Sequence, residues 1–296
     1  MEGYGIAAAL GSCLLWAWSA SRFQSSVKRW GPFACNFFKT TAATGLFGLC
    51  VLVLWSRGDA GFGSGRDALF LALSGICGMA LGDWALFGAM GRIGARQGML
   101  IHGTSPLFLL AWSFVGFGDP LGAYEIGGIL LVIAGVSLVT WMQRRGGEIH
   151  REDLAAGIVL ALLGAIGQAG GILLAKDALP SFHPMTAAGT RLCGALLGLL
   201  VIQIVRRRLH PTLAALGEGF AWREMFLPSF VGTFVGIALM LLAIDYTRPA
   251  VAGTLLSTTP IFIIPFAVFM LGERFRWGVL AGTAVAVLGI AVIGAS

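Results

Sequence analysis

Apolar runs of membrane-crossing length follow one another along this chain, and nothing constrains its fold more. A helix needs about 20 mainly apolar residues to cross the hydrocarbon core of a bilayer. Reading the runs between their polar breaks gives ten, at about 3–21, 33–55, 67–90, 95–117, 121–141, 154–175, 184–205, 226–246, 249–271 and 276–294. The breaks are short, as in "SRGDAGFGSGR" and "QRRGGEIHRED". Only "RRRLHPTLAALGEGFAWRE" has room for a short amphipathic helix of its own. Runs this long, without alternation, argue against strands. Composition closes off the soluble alternative. Hydrophobic residues make up 57% of 296 and charged residues 11%, and mean hydropathy is +0.86, whereas a soluble domain carries roughly 25% charged residues. The expected fold class is an all-α integral membrane protein.

The net charge of +6 comes from bases gathered at the ends of the runs. They form no basic face interleaved with aromatics, so nucleic acid is not an expected partner. The five cysteines (Cys13, Cys35, Cys50, Cys77 and Cys193) all lie in apolar stretches without CxxC spacing. They read as small buried hydrophobes, and no metal site is expected. The opening "MEGYGIAAALGSCLLWAWSA" has an acid where a signal peptide has bases, and reads as a retained first span.

Ten runs invite a search for an internal repeat. A shift of 154 residues lays "GTSPLFLLAWSFVGFGDP" on "STTPIFIIPFAVFMLGER" and pairs Gly128 with Gly282 and Gly135 with Gly289. It also matches the GxxxG of Gly78 and Gly82 to that of Gly232 and Gly236. Nearer the start of each half, a shift of 152 pairs Pro32 with Pro184 and Lys39 with Arg191. Residues 1–145 and 150–296 thus read as two copies of a five-span unit. With an odd number of spans, the copies must lie oppositely oriented in the membrane. That is the inverted-repeat plan of alternating-access transporters, whose sites lie near the midplane where the repeats meet.

These motifs resemble the EamA-like branch of the drug/metabolite transporter superfamily. The resemblance is carried by "GTSPLFLL…GFGDPLGAYEIGGILLVIAGV", "STTPIFII…LGERFRWGVLAGTAVAVLGI" and "LGDWALFGAMGRIGARQG", and it runs the length of the chain. The family's acid after the fourth span appears here as Asp119, followed by Pro120 in place of the usual Gly-Glu pattern, and as Glu273. The resemblance implies ten helices and secondary transport of metabolites, often export of amino acids. Relatives carry nucleotide-sugars, sugar phosphates, choline or drugs.

The polar residues at membrane depth are few. Lys39 lies about a third of the way down the second run, near Asn36 and Thr40, and Arg191 holds the equivalent place in the seventh. Asp83 is near the middle of the third run, His102 is in the first half of the fourth, and Gln168 is mid-run in the sixth. An unpaired charge at the bilayer centre costs at least about 2.5–3.5 kcal/mol, so these groups should face a watered cavity or one another. Two readings stand side by side. Asp83 forms a structural ion pair with Lys39 or Arg191, or it meets a substrate ammonium or a coupling proton while the bases meet the substrate's acid group. Trp16 and Ser19, one turn beyond Ser12, form a polar-aromatic stripe, and Trp84 follows Asp83. They suit an amphipathic or aromatic ligand, or else helix packing or an interfacial belt. Pro106, Pro260 and Pro265 interrupt helices as gating hinges or static kinks, with Thr104, Ser105, Thr258 and Thr259 available to the freed carbonyls.

The remaining bases, among them Arg22, Lys28, Arg92, Arg96, Arg144, Arg145, Arg151 and Arg206, read as loop charges. Fourteen Lys and Arg fall on the side of the central loop and four (Arg57, Arg66, Lys176 and Arg248) on the side of the termini. That asymmetry puts the termini outside, whereas the resemblance puts them in the cytoplasm. The functional expectation is a multi-pass secondary transporter of the cell inner (plasma) membrane, monomeric or homodimeric. It would export a small polar or amphipathic, amino-acid-like metabolite without a cofactor, the proton being the candidate coupling ion. The alternative cargo is anionic, nucleotide-sugar-like or lipid-linked. An intramembrane enzyme lacks support, since no HExxH or GxSxG occurs, and no GxxxxGK[ST] loop suggests nucleotide coupling.

Overall fold

The computed structural model describes residues 2–117, 122–145, 151–207, 219–247, 252, 255–256 and 258–294. Asp119, Pro120 and Arg248 lie outside them, as does most of the long central break. The described residues build α1 (Glu2–Trp30), α2 (Pro32–Arg57), α3 (Gly65–Gly75), α4 (Asp83–His102), α5 (Ser105–Phe117) and α6 (Ala123–Arg145). Then follow α7 (Arg151–Ala175), α8 (Pro184–Val205), α9 (Gly219–Pro228), α10 (Gly236–Tyr246), α11 (Thr259–Leu271) and α12 (Trp277–Gly294). A π-helical turn, Ile76–Gly82, joins α3 to α4, and another, Ser229–Val235, joins α9 to α10. No strand occurs among the described residues.

By length and composition six helical stretches can cross a bilayer: Pro32–Arg57, Gly65–His102, Ala123–Met142, Glu152–Ala175, Pro184–Val205 and Glu224–Ile244. The chain is an all-α membrane protein. Two shorter apolar helices, Thr259–Leu271 and Trp277–Ile293, accompany them. The 38-residue stretch Gly65–His102 is not one rod. Gly94 within it has φ 82° and ψ 160°, a backbone region essentially closed to residues with a Cβ. Gly31, between α1 and α2, has φ 82° and ψ 158°. At both glycines the chain turns back on itself, and after Gly31 it re-enters a helix with Pro32 in the first turn, where no N–H is needed.

Glycine sets the closest helix contacts. A Cβ built on Gly135 would lie 2.5 Å from the Gly282 carbonyl oxygen, and one on Gly128 would lie 2.7 Å from that of Gly289. The contact is reciprocal. Gly128 and Gly282 match under the 154-residue shift, as do Gly135 and Gly289, and each partner touches the other's counterpart. The two π turns also fall at matching places in the halves.

The glycines in and beside each π turn seat a helix of the other half. Gly78 and Gly82 lie against Gln168, Gly164 and Gly167 of α7, while Gly232 and Gly236 lie against Ser19 and Trp16 of α1. The main apolar core is likewise shared: Phe23, Phe38, Phe87 and Met90 of the first half pack with Met225 and Ile263 of the second.

Candidate functional site

The π turn before Asp83 decides how that carboxylate is presented. A π turn displaces the helical ladder and loosens its carbonyls. Asn36 of α2 answers this by donating through Nδ2 to the carbonyls of Met79 (3.0 Å) and Ala80 (2.9 Å). One turn further along α2, Lys39 Nζ donates to Asp83 Oδ2 and lies 5.4 Å from the centre of the Phe87 ring. Both side chains are largely buried, 9% exposed for Lys39 and 18% for Asp83. The pair joins α2 to α4, inside two helical stretches long and apolar enough to cross a bilayer.

Two further polar groups surround it. The Gly94 elbow folds the end of α4 back, so that Gly98 rests on Met90 and His102 comes against Gly164 of α7. His102 Nε2 is buried with no hydrogen-bond partner among the described residues. Arg191 Nε and Nη2 are buried in the same condition. Asp83 interacts electrostatically with both His102 and Arg191. The structure therefore pairs Asp83 with Lys39, with His102 and Arg191 within electrostatic range of it, and Gln168 packs on the π turn preceding Asp83.

Other residues singled out from the sequence make contacts between helices. Ser12 Oγ donates to the Gly236 carbonyl (2.9 Å) and Ser19 Oγ to that of Pro228 (2.7 Å), both across the halves. Trp16 sits against Gly236. Trp84 meets Phe33 edge-on at 5.6 Å, with the Arg206 guanidinium 5.7 Å from its ring centre, so it turns towards a helix end. Pro106 and Pro260 stand in the first turns of α5 and α11, where a missing N–H costs no hydrogen bond, while Pro265 lies inside α11. Thr104, Thr258 and Thr259 donate to the carbonyls of Ile101, Leu255 and Leu256 at 2.6–2.7 Å.

Arg96 departs from its reading as a loop charge. It lies two residues beyond the Gly94 elbow, only 3% exposed, and its Nη2 is 3.0 Å from Glu273 Oε2 of the other half. Gln24 Oε1 accepts from the Ala95 amide at 2.6 Å, so three segments are tied at one end of the bundle. The sequence carries the signal: Arg96 falls inside the apolar run 95–117, where an unpaired guanidinium is costly. Removing one partner of a buried pair leaves the other uncompensated. Arg96→Met is expected to destabilise the protein by about 3 kcal/mol in denaturation measurements in detergent, with Arg96→Met/Glu273→Leu recovering most of the loss.

An apolar recess of about 510 Å³ lies elsewhere, lined by Ile261, Phe262, Pro265, Phe269 and Leu280 among others. Phe269 is 86% exposed, as suits a lipid-facing side chain, and no charged residue of the Asp83 site lines the recess.

The comparisons with known proteins agree with this architecture. The chain is 26% identical over 288 residues to an uncharacterized transporter of Archaeoglobus fulgidus, spanning 96% of this chain and 95% of that protein. It also superposes on the crystal structure of another protein with a TM-score of 0.59 and 19% identity, covering 96% of this chain and 94% of the other; this likeness is one of fold. The EamA-like transporter family matches residues 3–141 and 155–295, nearly the whole molecule on both sides of the central loop, and the chain belongs to that family.

Proposed function

We propose that this protein is a secondary transporter that exports a small polar or amphipathic, amino-acid-like metabolite across the inner (plasma) membrane. It works by alternating access between two inverted five-helix halves. The observation that carries this reading is the Lys39–Asp83 pair, flanked at membrane depth by the unpartnered polar atoms of Arg191 and His102. Ionisable groups there are costly and mark substrate or proton pathways. The reciprocal Gly128–Gly289 and Gly135–Gly282 contacts, with the paired π turns, support the inverted plan.

In this mechanism Arg191 takes the cargo's carboxylate, His102 Nε2 supplies a hydrogen bond, and Asp83 meets the amine or the coupling proton. Net charge gives the anionic alternative a specific footing, since two bases surround one acid that is already paired. A thermal-shift screen in detergent should therefore include amino acids, simple carboxylates and phosphate-bearing sugars. A ligand at 100 times its Kd stabilises by about 2.7 kcal/mol. An amino acid or carboxylate should raise the Tm of the wild type but not of Arg191→Gln or Asp83→Asn. Equal shifts in all three proteins would remove the site assignment, and loss of uptake by inverted vesicles is the functional check.

A further inference from the structure

Lys39 and Arg191 occupy matching places, each seven residues beyond the proline that opens its helix, Pro32 or Pro184. Seven residues of helix rise about 10 Å. Because α2 and α8 enter from opposite ends of the bundle, the two bases sit about a third of the way in from opposite sides of a core about 30 Å thick. Asp83 has no such counterpart, since its matching position in the other half is Ile237. One carboxylate thus stands between two equivalent bases.

In this structure Lys39 holds it, while Arg191 keeps Nε and Nη2 buried without hydrogen bonds among the described residues. Arg191 is nevertheless within electrostatic reach of Asp83. Its backbone also presses on the end of α3, one π turn before Asp83: a Cβ built on Gly75 would lie 1.7 Å from the Arg191 carbonyl oxygen. Between Gly75 and Asp83 runs the π turn Ile76–Gly82. Such turns break the regular ladder, so the direction in which the next residue points can change there while both flanking helices persist.

We infer that Asp83 exchanges partners during the transport cycle, bound to Lys39 in the state described and to Arg191 in the opposite one. The base set free in each state is the seat for a single anionic group of the cargo. This rests on the transport reading, and it adds that the cargo enters as a carboxylate or comparable monoanion. The cargo's anion compensates whichever base Asp83 has left, so neither base stays buried and unpaired while cargo is bound.

The test needs no ligand, so its failure is separate from failure of the transport reading. Unfolding of Lys39→Ala, Arg191→Ala and the double variant is followed in detergent. If Asp83 can change partners, each single variant retains a base for it, and only the double variant strands the carboxylate. The double variant should then lose at least about 5 °C more in Tm than the sum of the single losses. Lys39→Ala alone falling as far as the double variant would overturn the proposal. Should the double variant fail to fold, hydrogen–deuterium exchange of the single variants decides. Lys39→Ala, driven to the Arg191-bound state, should raise exchange at one end of the bundle and lower it at the other relative to Arg191→Ala. The ends are read in peptides around Gly31, Gly94 and Gly272 and in peptides covering 58–64 and 176–183. Equal exchange, or a change in one sense at both ends, would also overturn it.

Discussion

Replacing Asp83 by Ala is expected to abolish transport and to destabilise the protein by about 3–5 kcal/mol, the range for breaking one side of a buried ion pair. The cause is the company Asp83 keeps. Lys39 is 9% exposed and would keep its ammonium under Phe87 with no anion, and Arg191 would lose its only described acidic neighbour. Replacing both partners of the close pair, as in Lys39→Met/Asp83→Leu, removes two charges from the apolar interior together. Most of the loss should then be recovered, since such replacement is often neutral, with a remainder from Arg191, which still lacks an acid, while transport stays lost. Chemical denaturation in detergent and flux in proteoliposomes separate the two readouts. Recovery of flux in the double variant would reduce the pair to a structural strut.

A second large effect is expected at Gly75, where no charge is involved. A methyl group there would meet the Arg191 carbonyl oxygen at 1.7 Å, which backbone on both sides makes hard to relieve. Gly75→Ala should force α3 and α8 apart and, with them, the helices that carry Asp83 and Arg191. We expect loss of the monodisperse peak in size-exclusion chromatography and no ligand-dependent thermal shift. Gly48, in the middle of α2, is the matched control. A Cβ built there meets nothing within 4 Å, so Gly48→Ala should leave the protein unchanged or stabilise it by about 0.5–1 kcal/mol through helix propensity. Two Gly→Ala changes with opposite outcomes would separate helix contact from helix propensity.

The sequence by itself determined the solvent, the helical class and the rare charges. Apolar runs longer than a strand can use, with few charges inside them, leave the helix as the way to satisfy the backbone in lipid. Lys39, Asp83, His102 and Arg191 stood out for the same reason: each is expensive at that depth. The Gly128/Gly282 and Gly135/Gly289 matches were legible too, and all four glycines lie in close helix contacts, because close backbone approach demands glycine wherever it recurs.

Tertiary structure decided which of these charges meet. Periodicity says which face of a helix a residue occupies but not which neighbour that face receives, so Lys39 and Arg191 were equal claimants to Asp83 until packing gave Lys39 the contact. It also assigned the Ser12 and Ser19 hydroxyls to carbonyls of the other half, and it drew Arg96 inward to Glu273. That last pairing joins positions 177 residues apart, a separation at which no local pattern carries information about contact. The π turn ahead of Asp83 was equally hidden. Its residues, "ICGMALG", suit an α-helix in lipid, and the turn is accommodated there by Asn36 of α2 and by the small residues of α7 packed against it.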